Sequence, residues 1–376
     1  MQSTTEAATT PATSPTEASQ SPADRALVVG SRGSPLALWQ TNWALDRLRE
    51  LTPNEATDRF IVETIRTQGD RTQASNVPLA QLGDKGMFVA ELERALLDGA
   101  LDVAIQPMND HALAGAERAI AAGAADQSDQ PGQRIDAAVH SLKDLPSVVT
   151  RGLALVAITE REDARDALVS RAGLRFADLP AGATVATSSL RRRAQLLHAR
   201  PDLRIVEIRG NVDTRLRKTL AADGPDATIL AAAGLRRLGL ADYITELLPI
   251  ELLTPATGQG ALAIEVRADD HRARRLLRPL DHLPTRRAVT AERAVLATLG
   301  GGCRVPLGAH AVPTPDGASL RLLAVVASPD GRRLIRVERV GPAQRPVALG
   351  HQVARELLRQ GAGAIMREAL GSNSGE

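Results

Sequence analysis

The chain has little cysteine, few aromatic side chains, almost no surplus charge and no long apolar run. Among its 376 residues there is one cysteine, Cys303. A lone thiol closes no internal disulfide and cannot by itself cage a metal ion. One cysteine fits a reducing cytoplasm, which is the expected location. Aromatics make up 2% of the chain, so stacking platforms for single-stranded nucleic acid are scarce. Lys and Arg number 46 against 44 Asp and Glu, a net charge of +2. That balance gives no bulk field to draw nucleic acid or an anionic membrane. No apolar run approaches the ~20 residues of a membrane span. CxxC, HExxH, P-loop and GxGxxG patterns are missing too, so metal, ATP and dinucleotide readings have no motif. The expected partner is a small molecule, and the expected state a monomer. Residues 1–24, rich in Ser, Thr, Ala and Pro, contain no Lys, Arg or apolar stretch. They read as a disordered tail rather than a secretory signal or an Arg-rich transit peptide.

What is present is an ordinary globular composition, 43% hydrophobic and 24% charged, with a core left to Ala, Leu, Val and Ile. Ala26–Gly30 reads as a buried strand. Ser34 caps a helix with Pro35 at its first position, and Leu36, Trp39 and Trp43 share one face. Phe60–Arg66 is the next strand, and Gly86–Leu97 a helix striped by Phe88, Leu92 and Leu96. Strand patterns recur at Ile135–Val139, Leu153–Ile158, Thr184–Thr187, Arg204–Ile208 and Ala227–Leu230, alternating with helical ones. This argues for an α/β fold with parallel or mixed sheets. The end differs. A helix, Thr285–Leu299, stops at glycine; strands at Val305–Val312, Ser319–Ala327 and Arg333–Val340 and a helix at Pro346–Gln360 follow. That pattern is a separate small α+β domain, with Cys303 on the loop entering its sheet. Leu101–Asp110 echoes Ile135–Asp144, either by chance or as a partial duplication.

The arginines carry the first chemical signal. Arg32, Arg191–Arg193, Arg209 with Arg215, and Arg236–Arg237 each follow a predicted strand. Open α/β sheets place their ligand crevice there, and helix N-termini add N–H groups. Guanidinium forks bind carboxylates in pairs, so the set suggests a ligand rich in carboxylates or phosphates. His140-Ser141-Leu142-Lys143-Asp144-Leu145-Pro146 ends another strand. Asp144, beside Lys143 and near arginines, is expected as a carboxylate able to stabilise a developing cation or move a proton. Cys303 follows three glycines, Gly300–Gly302. From the residues alone it can be a buried filler, a nucleophile paired with His140, or an attachment point.

Taken together, Ser31–Gln40, Lys85–Phe88, Val139–Pro146, Thr187–Arg192, Arg209–Val212, Gly258–Ala261 and Gly301–Cys303 resemble the porphobilinogen deaminase (hydroxymethylbilane synthase) family, in the family's order from about Ala26 to Arg304. The resemblance implies two periplasmic-binding-protein-like α/β lobes and a small α+β C-terminal domain. The expected bounds are 25–159 with 260–280 for domain 1, 160–259 for domain 2 and 281–376 for the domain bearing the cofactor. It implies a dipyrromethane cofactor on Cys303 by a thioether bond. It also implies condensation of four porphobilinogen units, each losing ammonia, and hydrolytic release of hydroxymethylbilane for haem, chlorophyll or corrin synthesis. By the same resemblance Asp144 is catalytic. Arg32, Arg191, Arg192, Arg209, Arg215 and Arg237 hold carboxylates, assisted by Lys85 and Lys143. Ser34, Thr187, Ser188 and Ser189 add donors, and Phe88 covers the pyrrole. The chain departs from the family pattern at Gln68, at Asp84 and in an insertion of about 107–134. Asp144 rather than Asp110 is the expected catalytic copy, and the inserted helix is expected outside the cleft. Two competing readings are a two-lobed polycarboxylate-binding protein and a catalytically impaired relative.

Overall fold

The computed structural model describes residues 26–53, 60–65, 89–98, 135–300 and 305–371. The tail, the insertion, Gln68, Asp84, Lys85, Phe88, Asp110 and Cys303 lie outside the described residues.

The first lobe opens with β1 (Leu27–Arg32), α1 (Pro35–Leu51), β2 (Phe60–Ile65), α2 (Ala90–Asp98), β3 (Ala137–Ser141) and β4 (Leu153–Ile158). Ser34 caps α1, its Oγ accepting from the Ala37 N–H at 3.3 Å, with Pro35 in the first turn. The fully buried stripe of α1 includes Ala37, Ala44, Leu45 and Leu48, and Trp43 packs partly buried against the same core. Trp39 and Trp43 stack on each other, with ring centroids 6.2 Å apart. The chain then enters a second lobe: β5 (Asp166–Ser170), β6 (Thr184–Ala186), α3 (Leu190–Ala199), β7 (Arg204–Val206), α4 (Val212–Leu220), β8 (Ala227–Ala231), α5 (Ala232–Arg237) and β9 (Glu246–Leu247). It returns through β10 (Leu262–Arg267) and α6 (His271–Leu277).

Both lobes are built to one plan. The first sheet runs β2-β1-β3-β10-β4 and the second β7-β6-β8-β5-β9. In each, three parallel strands are followed by an antiparallel strand that begins where the chain arrives from the other lobe. Both sheets are covered on both faces, as parallel strands require. Leu27, Val29, Val139 and Ile264 pack with α1, while Leu92, Leu96, Ile135 and Leu153 close the opposite face. In the second lobe α3 lies on one face through Leu196, and α4 and α5 on the other through Leu216 and Leu235.

The two crossings run side by side. Thr159 N–H donates to Leu262 O at 3.1 Å and Glu162 N–H to Gly260 O at 3.2 Å. Gly260 has φ +92°, and a Cβ there would sit 2.2 Å from Glu162 O, so only glycine lets the strands approach. The third unit follows: α7 (Leu283–Thr298), the antiparallel meander β11 (Leu307–Pro313), β12 (Ser319–Ala327) and β13 (Leu334–Pro342), then α8 (Pro346–Arg359) and α9 (Ala362–Gly371). Val295, Leu322, Val326, Val353, Leu357 and Ile365 form its core. Glu292 of α7, fully buried, joins this unit to the crossings. Its carboxylate accepts from Arg161 at 2.6 Å, from Gly258 N–H at 2.7 Å and from Ala311 N–H at 2.8 Å.

The architecture is thus the expected α/β one, with two paired lobes and a small α+β domain. Among the elements the sequence reading did not place are β5, β10 and α9. Both strands carry buried charge: Asp166 heads β5, leaving only a short apolar run, and Glu265 and Arg267 break the apolar pattern of β10.

Candidate active site

In the first lobe β3 ends in one 3₁₀ turn, Leu142–Asp144. Leu142, 1% exposed, anchors it, and its N–H donates to Ala261 O at 3.0 Å. Gly258, at φ +72°, leaves room for Leu142, which an added Cβ would meet at 2.8 Å. Behind the turn His140 Nε2 lies 3.2 Å from Glu265 Oε2, both side chains buried. That histidine faces a core carboxylate at close range. Burial, reinforced by the charge of Glu265, raises the nearby Glu93 carboxyl above its usual range.

In the second lobe the segment after β6 shapes itself with hydroxyls. Thr187 Oγ1 accepts from Ser189 N–H at 3.2 Å, and Ser188 Oγ donates to Ile208 O at 2.6 Å. Ser189 Oγ caps α3, accepting from Arg192 N–H at 3.4 Å. Arg191 and Arg192 therefore leave the first turn of α3, and both are buried. Buried guanidiniums need a partner, and Asp166, at the start of β5, supplies it. Its Oδ2 lies 2.8 Å from Arg191 Nη2; its Oδ1 accepts from Arg192 Nη2 at 2.7 Å and from Gln259 Nε2 at 2.8 Å. Burial alone would raise the Asp166 carboxyl; the two guanidiniums and the hydrogen bonds outweigh it and hold it well below the usual carboxylate range. Gln259 also accepts from Lys143 Nζ at 3.4 Å, so one amide side chain joins the motif of the first lobe to the arginine pair of the second.

These groups surround a cavity of ≈ 210 Å³. Lys143, Asp144, Ser189, Arg191, Arg192 and Gln259 form its polar wall, while Leu296, Val305 and Leu307 of the third domain form an apolar one. Burial lowers the Lys143 ammonium to about 8; Asp144 and Asp166 oppose that shift, and Arg192 and Arg191 add to it. Arg215 shares the field. Burial and the charge of Arg192 lower it to about 10 against the pull of Asp144, so it is a cation at neutral pH.

Of the residues singled out in the sequence, Lys143, Asp144, Ser189, Arg191 and Arg192 meet at this cavity. Arg32 ends β1 and Ser34 caps α1. Arg209 lies 3.5 Å from Glu207, and Arg215 Nε donates to Gly210 O at 2.7 Å. Arg237 reaches Gly260 O at 2.7 Å and lies over Trp39, 5.9 Å from the ring centroid. That spans the lobes, because Trp39 belongs to α1. Asp166 and Gln259 were missed as site residues. The one signal for Asp166 was an acid at the head of an apolar stretch, Ala167-Leu168-Val169; Gln259 lay inside the Gly258–Ala261 motif without a stated role.

The donor set fits a dipyrromethane. Such a group carries acidic arms, for which the wall offers Lys143, Arg191 and Arg192. It also carries pyrrole N–H donors, for which it offers Asp144. Its rings are apolar on their faces, like Leu296, Val305 and Leu307. Val305 follows Cys303 by two residues in the chain, so the described chain resumes on the wall of this cavity.

A family model described as "Porphobilinogen deaminase, dipyromethane cofactor binding domain" matches residues 27–132 and 127–275, and one described as "Porphobilinogen deaminase, C-terminal domain" matches 286–359. A protein named porphobilinogen deaminase from Desulforudis audaxviator is 47% identical over 91% of this chain and 97% of its own. Another of that name from Pelobacter propionicus is 46% identical over 92% and 97%. With these matches spanning all three structural units, the chain belongs to the porphobilinogen deaminase family.

Proposed function

We propose that the chain is a hydroxymethylbilane synthase. It condenses four porphobilinogen molecules head to tail on a dipyrromethane primer held through a thioether to Cys303, and water releases hydroxymethylbilane. One observation carries the reading: Lys143 and Asp144 of the first lobe, Arg191 and Arg192 of the second and Val305 of the third domain share one cavity. A simple polycarboxylate binder needs the arginines but not the acid among them.

When bound, the primer would supply the free pyrrole carbon that accepts the first ring, each added ring then offering its own free carbon to the next. The chain's own residues do the rest. Arg191, Arg192 and Lys143 bind the substrate's carboxylates through charge-assisted hydrogen bonds. Arg32, Arg209, Arg215 and Arg237, with Ser34, Thr187, Ser188, Ser189 and Lys85, extend that binding along the strand ends, and Phe88 covers a ring. Asp144 accepts from pyrrole N–H groups and stabilises the cation left when the substrate loses ammonia, as a fixed charge in a partly dry site. Leu296, Val305 and Leu307 exclude water from one side. The domain bounds given above, a monomeric state and a cytoplasmic location belong to the same proposal.

Intact-protein mass spectrometry of the full chain, with and without porphobilinogen, tests it. The expected result is a mass excess of two pyrrole rings that is absent in Cys303→Ser, and a ladder of further additions with substrate. Asp144→Ala is expected to keep the primer and lose the ladder. An active chain without the mass excess would refute the tether, and an unmodified, inactive one would favour the binding-protein reading.

A further inference from the structure

The arginine pair already holds a carboxylate, and it belongs to the protein. Asp166 is fully buried. It takes the Nη2 atoms of both guanidiniums, at 2.8 and 2.7 Å, and also Arg192 Nε at 3.2 Å. The other ends are tied to main chain: Arg191 Nη1 donates to Thr254 O at 2.7 Å and Arg192 Nη1 to Ile229 O at 2.9 Å. Neither fork can swing freely. Two cations and one fixed anion leave a single net positive charge facing the cavity, and a good part of each guanidinium's five N–H groups is committed to protein acceptors. A site meant only for tight capture of carboxylates would leave both charges unopposed.

We propose that Asp166 sets the carboxylate-binding strength of this cavity. It is a positioning residue that fixes the direction of both forks and cancels one of their charges, so that the pair seats one ligand carboxylate and can release it. The inference rests on the cavity being the pyrrole-carboxylate site. There release matters as much as capture, because each added ring must vacate the place of the next. Uniformly tighter binding would slow that passage rather than speed chemistry.

The test compares the full-length wild type with Asp166→Asn and Gln259→Glu, using succinate as a carboxylate probe in titration calorimetry alongside steady-state kinetics. Asp166→Asn keeps the side chain's size and removes its charge. It is expected to bind succinate roughly tenfold more tightly, with KM for porphobilinogen and kcat falling together. Gln259→Glu adds a negative charge to the same cluster and is expected to bind succinate roughly tenfold more weakly. A purely structural role predicts weaker or unchanged succinate binding in a folded Asp166→Asn, and either result overturns the proposal. If Asp166→Asn does not fold, Gln259→Glu decides, and an unchanged affinity there overturns it. No succinate binding by wild type or variants overturns it as well. The calorimetric arm needs no turnover, so a failure of the enzymatic assignment shows separately, as a wild type without primer or ladder.

Discussion

Lys143 keeps its charge against the pull of its surroundings. Burial brings its ammonium down to about 8, so the cationic form dominates below that value and is lost as pH rises through it. In the free enzyme this is the form that meets substrate carboxylates. We therefore expect kcat/KM for porphobilinogen, which reports free-enzyme groups, to fall as pH rises through about 8. Lys143→Arg keeps a cation throughout that range and is expected to flatten the fall. A pH profile of both forms checks this; the same alkaline limb in Lys143→Arg would assign it to another group. Lys143, Asp144 and Arg191 were legible in the sequence because they are polar residues at strand ends, where neither core packing nor a helix cap asks for them. Asp166 and Gln259 were not. Their work is done by side-chain hydrogen bonds to residues distant in the chain, and such pairings leave no local pattern.

Elements repeat that division. Strands whose inward positions are all apolar, such as Leu153–Ile158 and Ser319–Ala327, stand where the sequence put them. The two crossing strands did not announce themselves, because each buries ionised groups whose partners come from the rest of the lobe. In β10, Arg267 finds Asp136 at 3.1 Å and Asp270 at 2.7 Å. The face of α1 shared by Leu36, Trp39 and Trp43 shows a related limit: Trp39 meets Arg237 of the other lobe while Trp43 packs on the core of the first, so helical periodicity alone cannot tell core from lobe boundary. The crossings also have a steric weak point. Gly260→Ala forces a side chain into positive φ and against Glu162 O. A loss of at least about 1–3 kcal/mol is expected, read as a lower midpoint in thermal unfolding. An unchanged midpoint would mean that the crossings can spread at little cost.

At the scale of the molecule, three units are tied at Glu292. Its side chain is fully buried and that of Arg161 is 11% exposed, so removing one charge strands the other. Glu292→Gln is expected to cost about 3–5 kcal/mol. In a thermal melt the third domain should then separate from the lobes before they unfold; a single melt at the wild-type midpoint would show that the joint bears no stability. None of this joint was visible in the sequence, where Arg161 and Glu292 stand 131 positions apart, and one passes for a loop charge and the other for a surface charge on a helix.

The chain's only two tryptophans stack on α1, and Arg237 from the opposite lobe rests over one of them. Trp39 therefore sits at the boundary between the lobes, beside a cation of the far side, while its partner Trp43 packs against the core of the first lobe. Ultraviolet emission of the unlabelled protein is therefore expected to shift if this contact between the lobes opens, a readout that needs no added label.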